Sequence, residues 1–321
     1  MSQPILVTGA AGGPQGSTRR FVTQALIQRG LPVRALVHKL DDRSDRLSEL
    51  GAEVIEGDLL NPTSTRAALQ GIRRAYFTYP VADGLMEATA IFAQAAREVE
   101  TELAVNLSQL QNTPEVPSFR NLQHRLADQI FNWAKVGAVH LHAPPFYENV
   151  RAMTAKSIPE QAAIFLPWGK GDAIFPLVGA EDVGRVATAL LASESTPKQN
   201  AYDLILEMPT AIEIANTLTT LLGRPIRYVE ITDEQWAQTV RERINAHAVD
   251  HLSHLWQFFR ESRFRKGEDG FRATTGEIRT QTGIEPQTLE QFFRRGASGE
   301  QATKIAEGLD VKIKTLMRTA L

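Results

Sequence analysis

The feature that most constrains this chain is a rhythm. From residue 4 to residue 146, short apolar runs alternate with segments of helical periodicity. The runs 4–8 (PILVT), 32–39 (PVRALVHK), 53–57 (EVIEG), 74–79 (RAYFTY), 102–108 (ELAVNLS) and 138–142 (AVHLH) are strand-like. Several are rich in Val, Ile, Tyr and Phe and do not alternate strictly, as strands covered on both faces do not. Between them, 17–29 carries Phe21, Ala25, Leu26 and Arg29 at helical spacing and stops at Gly30. Residues 84–99 place Leu85, Ala88, Ile91, Phe92 and Ala95 in the same way, and 118–136 place Leu122, Leu126, Ile130 and Trp133. Strict β–α alternation predicts an α/β fold: a doubly wound parallel sheet with right-handed crossovers.

The rhythm changes after about residue 147. Helices are expected at 181–192, which opens on Glu181 and Asp182, and at 210–223. Strands are expected at 201–206 and 225–231, and 233–264 is helix-prone. This pattern predicts a first domain over 1–150, its sheet completed by segments near 174–206. A smaller α/β C-terminal domain follows over 151–299. A helical tail over 300–321 places Ile305, Leu309, Ile313, Leu316 and Leu321 on one packing face.

Within the first domain, the run VTGAAGGPQG (residues 7–16) follows the first strand and precedes the first helix. A helix N-terminus behind a glycine turn offers free backbone N–H groups and partial positive charge to a phosphate. The spacing is G-x-x-G-x-x-x-G over Gly9, Gly12 and Gly16. The third glycine comes one residue later than in the shorter dinucleotide motifs. A Walker phosphate loop is excluded, because no Gly-Lys-Ser/Thr follows. Thr8, Gly9, Gly12, Gln15 and Gly16 are therefore expected to meet a dinucleotide pyrophosphate. The second strand ends on His38 and Lys39, with Arg43 close behind, where NAD-preferring sites often carry an acid. Basic groups there suit a 2′-phosphate, so NADP(H) is favoured over NAD(H).

Composition excludes other classes. The chain has 35 Lys and Arg against 37 Asp and Glu, a net charge of −2, which gives no electrostatic case for direct nucleic-acid or membrane binding. There is no cysteine, which removes disulfides, thiolate nucleophiles and cysteine metal sites. No basic-then-apolar leader is visible, and no apolar run is long enough to span a bilayer. A cytoplasmic protein is the expectation.

The opening VTGAAG…G, the strand VRALVHK, the segment GAEVIEGDLLNPTSTRAALQGIRRAYFTYP and the later PPFYENV together resemble the NmrA-like family, atypical short-chain dehydrogenases/reductases. The resemblance runs over roughly residues 4–295. It implies a Rossmann domain, a smaller C-terminal domain, and a cleft between them that takes NADP(H) and a small-molecule substrate. It further implies that Asp58 and Leu59 border the adenine, and that Thr78, Tyr79 and Pro80 face the ribose or nicotinamide. Ser108, Gln109, Pro145 and Phe146 would lie near the nicotinamide ring.

The departures from that pattern bear on catalysis. Typical reductases of the superfamily use Tyr-x-x-x-Lys, and none of the five tyrosines here has Lys four residues on. His124 and Asp128 stand where many relatives have a Lys and an acid, so His124 is a candidate for ribose binding or proton transfer, oriented by Asp128. Tyr147, followed by Arg151, is a second catalytic candidate. Where relatives often carry Arg at a strand end, this chain has His142. His247, His251 and His254 share one helix face. An interdomain polar face is preferred for them, a cleft-lining role comes second and zinc third. Trp236, Trp256, Phe258 and Phe259 read as core.

The function expected is hydride transfer from NADPH to a conjugated or carbonyl acceptor such as a quinone. The alternative is a non-catalytic NADP(H) sensor acting through a protein partner. A homodimer is left open, and a cofactor-free scaffold is the weakest reading.

Overall fold

The computed structural model describes residues 3–12, 17–110, 118–242, 244–261 and 274–298. The strands are β1 (Ile5–Thr8), β2 (Val33–Val37), β3 (Glu53–Glu56), β4 (Arg74–Phe77), β5 (Leu103–Gln109), β6 (Ala138–Ala143), β7 (Ala163–Leu166), β8 (Ala201–Asp203) and β9 (Arg227–Glu230). Seven of them form one parallel sheet in the order β3-β2-β1-β4-β5-β6-β8. The doubly wound α/β architecture is therefore present, and β8 from the later part of the chain completes its edge. β7 and β9 form a separate parallel pair.

Helices α1 (Ser17–Gln28), α2 (Asp42–Glu49), α3 (Pro62–Leu69), α4 (Leu85–Glu98) and α5 (Phe119–Ala134) fill the crossovers up to β6. Then come α6 (Tyr147–Thr154), α7 (Ser157–Gln161), α8 (Ala180–Ala192), α9 (Ala211–Leu222), α10 (Asp233–Val240), α11 (Ala246–Glu261), α12 (Glu277–Thr282) and α13 (Leu289–Ser298). The short helices α2 and α3 have no long periodic face; local caps start them. Asp41 accepts from the Arg43 and Ser44 amides, and Asn61, with Pro62 behind it, accepts from Thr63 and Ser64.

Both faces of the sheet are buried, and the period of two is visible in β1. Ile5 and Val7 pack with Val22 and Leu26 of α1 and Val183 and Val186 of α8. Leu6 packs on the other face with Ala68, Leu69, Phe92 and Phe131 of α3, α4 and α5. There Phe77, Phe92 and Phe131 meet with centroids 4.8 to 6.0 Å apart. Truncating such a ring to Ala costs about 3–5 kcal/mol. On the first face α8 lies close against α1, because a Cβ on Gly184 would come within 2.9 Å of Phe21 Cβ.

A third core belongs to β7, β9 and the helices around them. Trp168 stacks on Phe175 at 3.9 Å, and Trp256, Trp236 and Phe259 close round the pair. The expected core roles of Trp236 and Trp256 are seen, with Phe258 partly buried beside them.

Two boundaries differ from the sequence expectation. The strand at 201–206 stops at Asp203, because the Leu206 and Glu207 amides turn to the Leu177 carbonyl. The helical stretch 233–264 divides into α10 and α11; α11 restarts after Asn245, whose side chain accepts from the Ala248 amide. The tail at 300–321 lies outside the described residues.

Candidate functional site

The strand order reverses between β1 and β4, which is where open α/β sheets leave a crevice beyond their carboxyl ends. The two strand ends are tied there. Thr8 Oγ1 donates to the Thr78 carbonyl at 3.2 Å and accepts from the Thr78 amide at 3.0 Å. Gly9 and Gly12 turn the chain out of β1 at φ +60° and +69°, where a side chain is strained. Gln15 and Gly16, expected to complete this turn, lie outside the described residues.

Beyond these strand ends lies a cavity of about 270 Å³. Of the residues expected at the reactive end of a dinucleotide, Thr78, Tyr79, Pro80, Ser108, Gln109, His124, Pro145 and Phe146 all line it. The floor is strand ends and their loops. The roof is α10, α11 and the turn between them, through Val240, Ile244, Ala248, His251, Leu252 and Leu255. Polar atoms in this wall await partners. Ser108 Oγ and Gln109 Oε1 are buried without a hydrogen bond, and His124 makes none with the described residues. Buried polar groups are normally satisfied, so unmet ones in a cavity wall point to a ligand.

Residues expected at the adenosine end do not line this cavity. His38 and Lys39 are exposed at the end of β2. Arg43 donates to the Gly12 carbonyl at 2.9 Å and pairs with Asp41, so the glycine turn is braced from α2. Asp58 Oδ1 accepts from the Leu60 amide, and Leu59 is partly buried beside it.

The histidines differ sharply. Burial pushes the His124 imidazole down to about 4; Asp128 opposes this, while Arg120 and His142 add to it. His251, buried and with Nδ1 2.8 Å from Ser118 Oγ, is pushed down to about 3 by burial and by the nearby His124, His254 and Arg120. Both rings are neutral at pH 7. For His142 burial also opposes charge, but hydrogen bonds to Asp128 and Asp203 override it and raise the imidazole to about 9. Its Nε2 lies 3.0 Å from Asp128 Oδ2 and its Nδ1 lies 2.9 Å from Asp203 Oδ1.

Two expectations are corrected. Tyr147 does not face the cavity. It is the first residue of α6, fully buried, and its hydroxyl donates to Glu207 Oε2, which also accepts the Leu289 amide. Helical geometry turns Asn149, Ala152 and Met153 towards the cavity and Tyr147 and Val150 towards the third core. Burial, with Glu207 beside it, drives the Tyr147 hydroxyl far above its ordinary pKa, and its proton is engaged by Glu207 rather than presented to the cavity. Nor does Asp128 orient His124: its carboxylate hydrogen-bonds Asn106 and contacts His140 and His142.

The histidine face of α11 spreads over three settings rather than one ligand set. His247 meets Arg120 and Asp83, His251 meets Ser118, and His254 meets the Asp250 carbonyl. No group of residues able to hold a metal ion occurs among the described residues.

Sequence reading missed Arg19 and Arg120. Arg19 folds back from α1 over the glycine turn, so that a Cβ on Gly9 would lie 2.3 Å from its Nη1. It lines the cavity and makes no ion pair among the described residues. Only its place two residues into the helix behind the loop could have marked it. Arg120 ties α5 to the Ala82 carbonyl, to Asp83 and to His247, fastening the roof to α5 and to the loop after β4.

Known proteins share sequence or fold with this chain. The chain is 26% identical over 242 residues to the NAD(P)H azoreductase of Xenophilus azovorans, covering 74% of this chain and 80% of that one. Its fold matches the NADPH-dependent quinone oxidoreductase of Escherichia coli complexed with NADPH. The TM-score is 0.76 at 16% identity, over 91% of this chain and 99% of the other. It also matches NmrA, a negative transcriptional regulator, in complex with NADP. Here the TM-score is 0.75 at 15% identity, over 94% of this chain and all of the other. The sequence model of the NmrA-like family matches residues 1–293, which span the glycine turn, the cavity floor and its roof. The chain belongs to the NmrA-like family.

Proposed function

We propose that this protein is an NADP(H)-dependent oxidoreductase that reduces a small conjugated acceptor, such as a quinone, in the cavity under α10 and α11. One observation carries the reading. The unpaired Arg19 lies over the glycine turn and also lines an apolar cavity, where Ser108 Oγ and Gln109 Oε1 are buried without partners and His124 makes no hydrogen bond with the described residues. A guanidinium partly buried without a carboxylate suits an anionic ligand, here the pyrophosphate. Ser108 and Gln109 would meet the carboxamide end of the dinucleotide. The exposed His38 and Lys39 would meet the 2′-phosphate and favour NADPH over NADH. When bound, the nicotinamide supplies the hydride. The chain positions the acceptor, excludes water through the apolar roof, and offers the neutral His124 N–H as hydrogen-bond donor. A conjugated acceptor spreads its developing negative charge and needs little general-acid help, which accords with the missing Tyr–Lys pair. The azoreductase and quinone oxidoreductase relatives support this class of reaction.

The second reading is an NADP(H) sensor without turnover. It is favoured by the withdrawal of Tyr147 into the core and by the likeness to the regulator NmrA. One experiment separates them. NADPH at 100 times its dissociation constant should stabilise the protein by about 2.7 kcal/mol. NADPH consumption is then followed with quinones, azo compounds and aldehydes. Stabilisation with turnover supports the enzyme, stabilisation without turnover the sensor, and no stabilisation sinks both.

A further inference from the structure

The roof of the cavity is apolar except at His251. From α10 and α11, Val240, Ile244, Ala248, Leu252 and Leu255 contribute only carbon to it. His251 is 4% exposed, and its ring is not free to turn, because Nδ1 sits 2.8 Å from Ser118 Oγ. Ser118 is itself fixed as the N-cap of α5, where its hydroxyl oxygen accepts from the Asn121 amide. With one lone pair of Ser118 engaged by that amide, its O–H can donate to Nδ1, the arrangement that puts the His251 proton on Nε2 and that the proposal adopts. That nitrogen makes no hydrogen bond with the described residues. His124, in the wall of the same cavity, is 7% exposed and makes no hydrogen bond with the described residues. Two buried, uncharged imidazoles with unmet ring nitrogens in the wall of one apolar cavity are a costly arrangement unless a ligand atom satisfies them.

We propose that His251 is an acceptor-binding residue, oriented by Ser118, which together with His124 grips an uncharged hydrogen-bond acceptor on a flat apolar molecule. A ring carbonyl or an azo nitrogen has this chemistry. A carboxylate does not, because neither imidazole brings a positive charge, Arg120 is tied to Asp83, and Arg19, the cation that lines the cavity, is assigned to the pyrophosphate in the same reading. The inference rests on the oxidoreductase reading and specifies which wall selects the acceptor. Ser118 acts only through His251 and is a positioning residue.

The test uses 2-methyl-1,4-naphthoquinone as probe on the full chain loaded with NADP+ or NADPH. In wild type the carbonyl stretch of the bound quinone, read by difference infrared spectroscopy with NADP+, should lie below its value in an apolar solvent. His251→Phe should return it towards that value. In turnover with NADPH, His251→Phe should raise the quinone KM about tenfold, the loss of one buried hydrogen bond. It should leave kcat within about threefold and NADPH affinity within about twofold. Ser118→Ala, which spares the imidazole, should raise KM about threefold, and Ser118→Thr should restore it; these variants keep the proposal testable if His251→Phe does not fold. An unchanged carbonyl frequency and KM in His251→Phe or Ser118→Ala overturns the assignment, as does the absence of any bound-quinone band in wild type. A quinone that binds with a His251-dependent shift but is never reduced overturns the oxidoreductase reading and leaves the assignment standing.

Discussion

His124 and His142 lie on neighbouring elements and both near Asp128, His124 buried and His142 half-buried, yet they carry opposite charge. His124 is neutral on α5 with its ring in the cavity wall. His142 is an imidazolium on β6, clasped between the carboxylates of Asp128 and Asp203. Burial opposes charge at both. The difference is directional: Asp128 is in electrostatic reach of both rings, but its hydrogen bonds go to Asn106 and His142. Contact geometry, together with depth, decides which histidine is part of the frame and which is left for a ligand.

The largest test of this contrast is Asp128→Asn. Removing one partner of a buried charge pair costs about 3–5 kcal/mol. Denaturant unfolding should show that loss, and the His142 resonance should titrate well below 9. A loss under about 1 kcal/mol would mean that the pair is not the brace it looks like.

Next comes the pH profile. His142 has its folded value raised to about 9 from 6.5, so its stabilisation is fully present below pH 6.5. It is lost as pH rises through 9, on the order of 3 kcal/mol. His124 and His251 have folded values lowered to about 4 and 3, so the unfolded chain binds more protons below pH 6.5 and stability falls there as pH drops. These three groups together place a stability maximum near pH 6.5. In His142→Gln the alkaline limb should flatten while the acid limb persists; an unaltered alkaline limb counts against the charged triad.

A smaller effect on stability, but a larger one on turnover, is expected of His124→Leu. With no hydrogen bond to lose in the unliganded protein, it should shift unfolding by less than about 1 kcal/mol and lower kcat/KM about tenfold. Equal effects on stability and turnover would erase the distinction between frame and site. The smallest change belongs to Tyr147→Phe. It should cost about 1 kcal/mol through the lost bond to Glu207 and leave turnover within about twofold. A collapse of turnover there would restore Tyr147 as a catalytic residue.

Much of the cavity floor was legible because it follows from topology. Once β4, β5 and β6 are recognised as parallel strands, Thr78, Ser108 and Pro145 must fall at or just beyond their carboxyl ends. The roof was not legible. The helical spacing of His247, His251 and His254 puts them on one face, but which elements that face meets depends on how α11 folds back over α5. Tyr147 was misread for a related reason: sequence places it beside the cavity, and only the rotation of α6 turns it away.

By itself, then, the sequence determined the parallel sheet, the glycine turn and the strand-end residues. These depend on local periodicity and on the few ways in which β–α units can be wound. Only the tertiary structure decided which polar groups are charged, paired or left open. Protonation depends on desolvation and on carboxylates brought from far along the chain, as Asp203 is brought to His142 and Ser118 to His251. Neither distance in space nor the local dielectric is written in residue spacing.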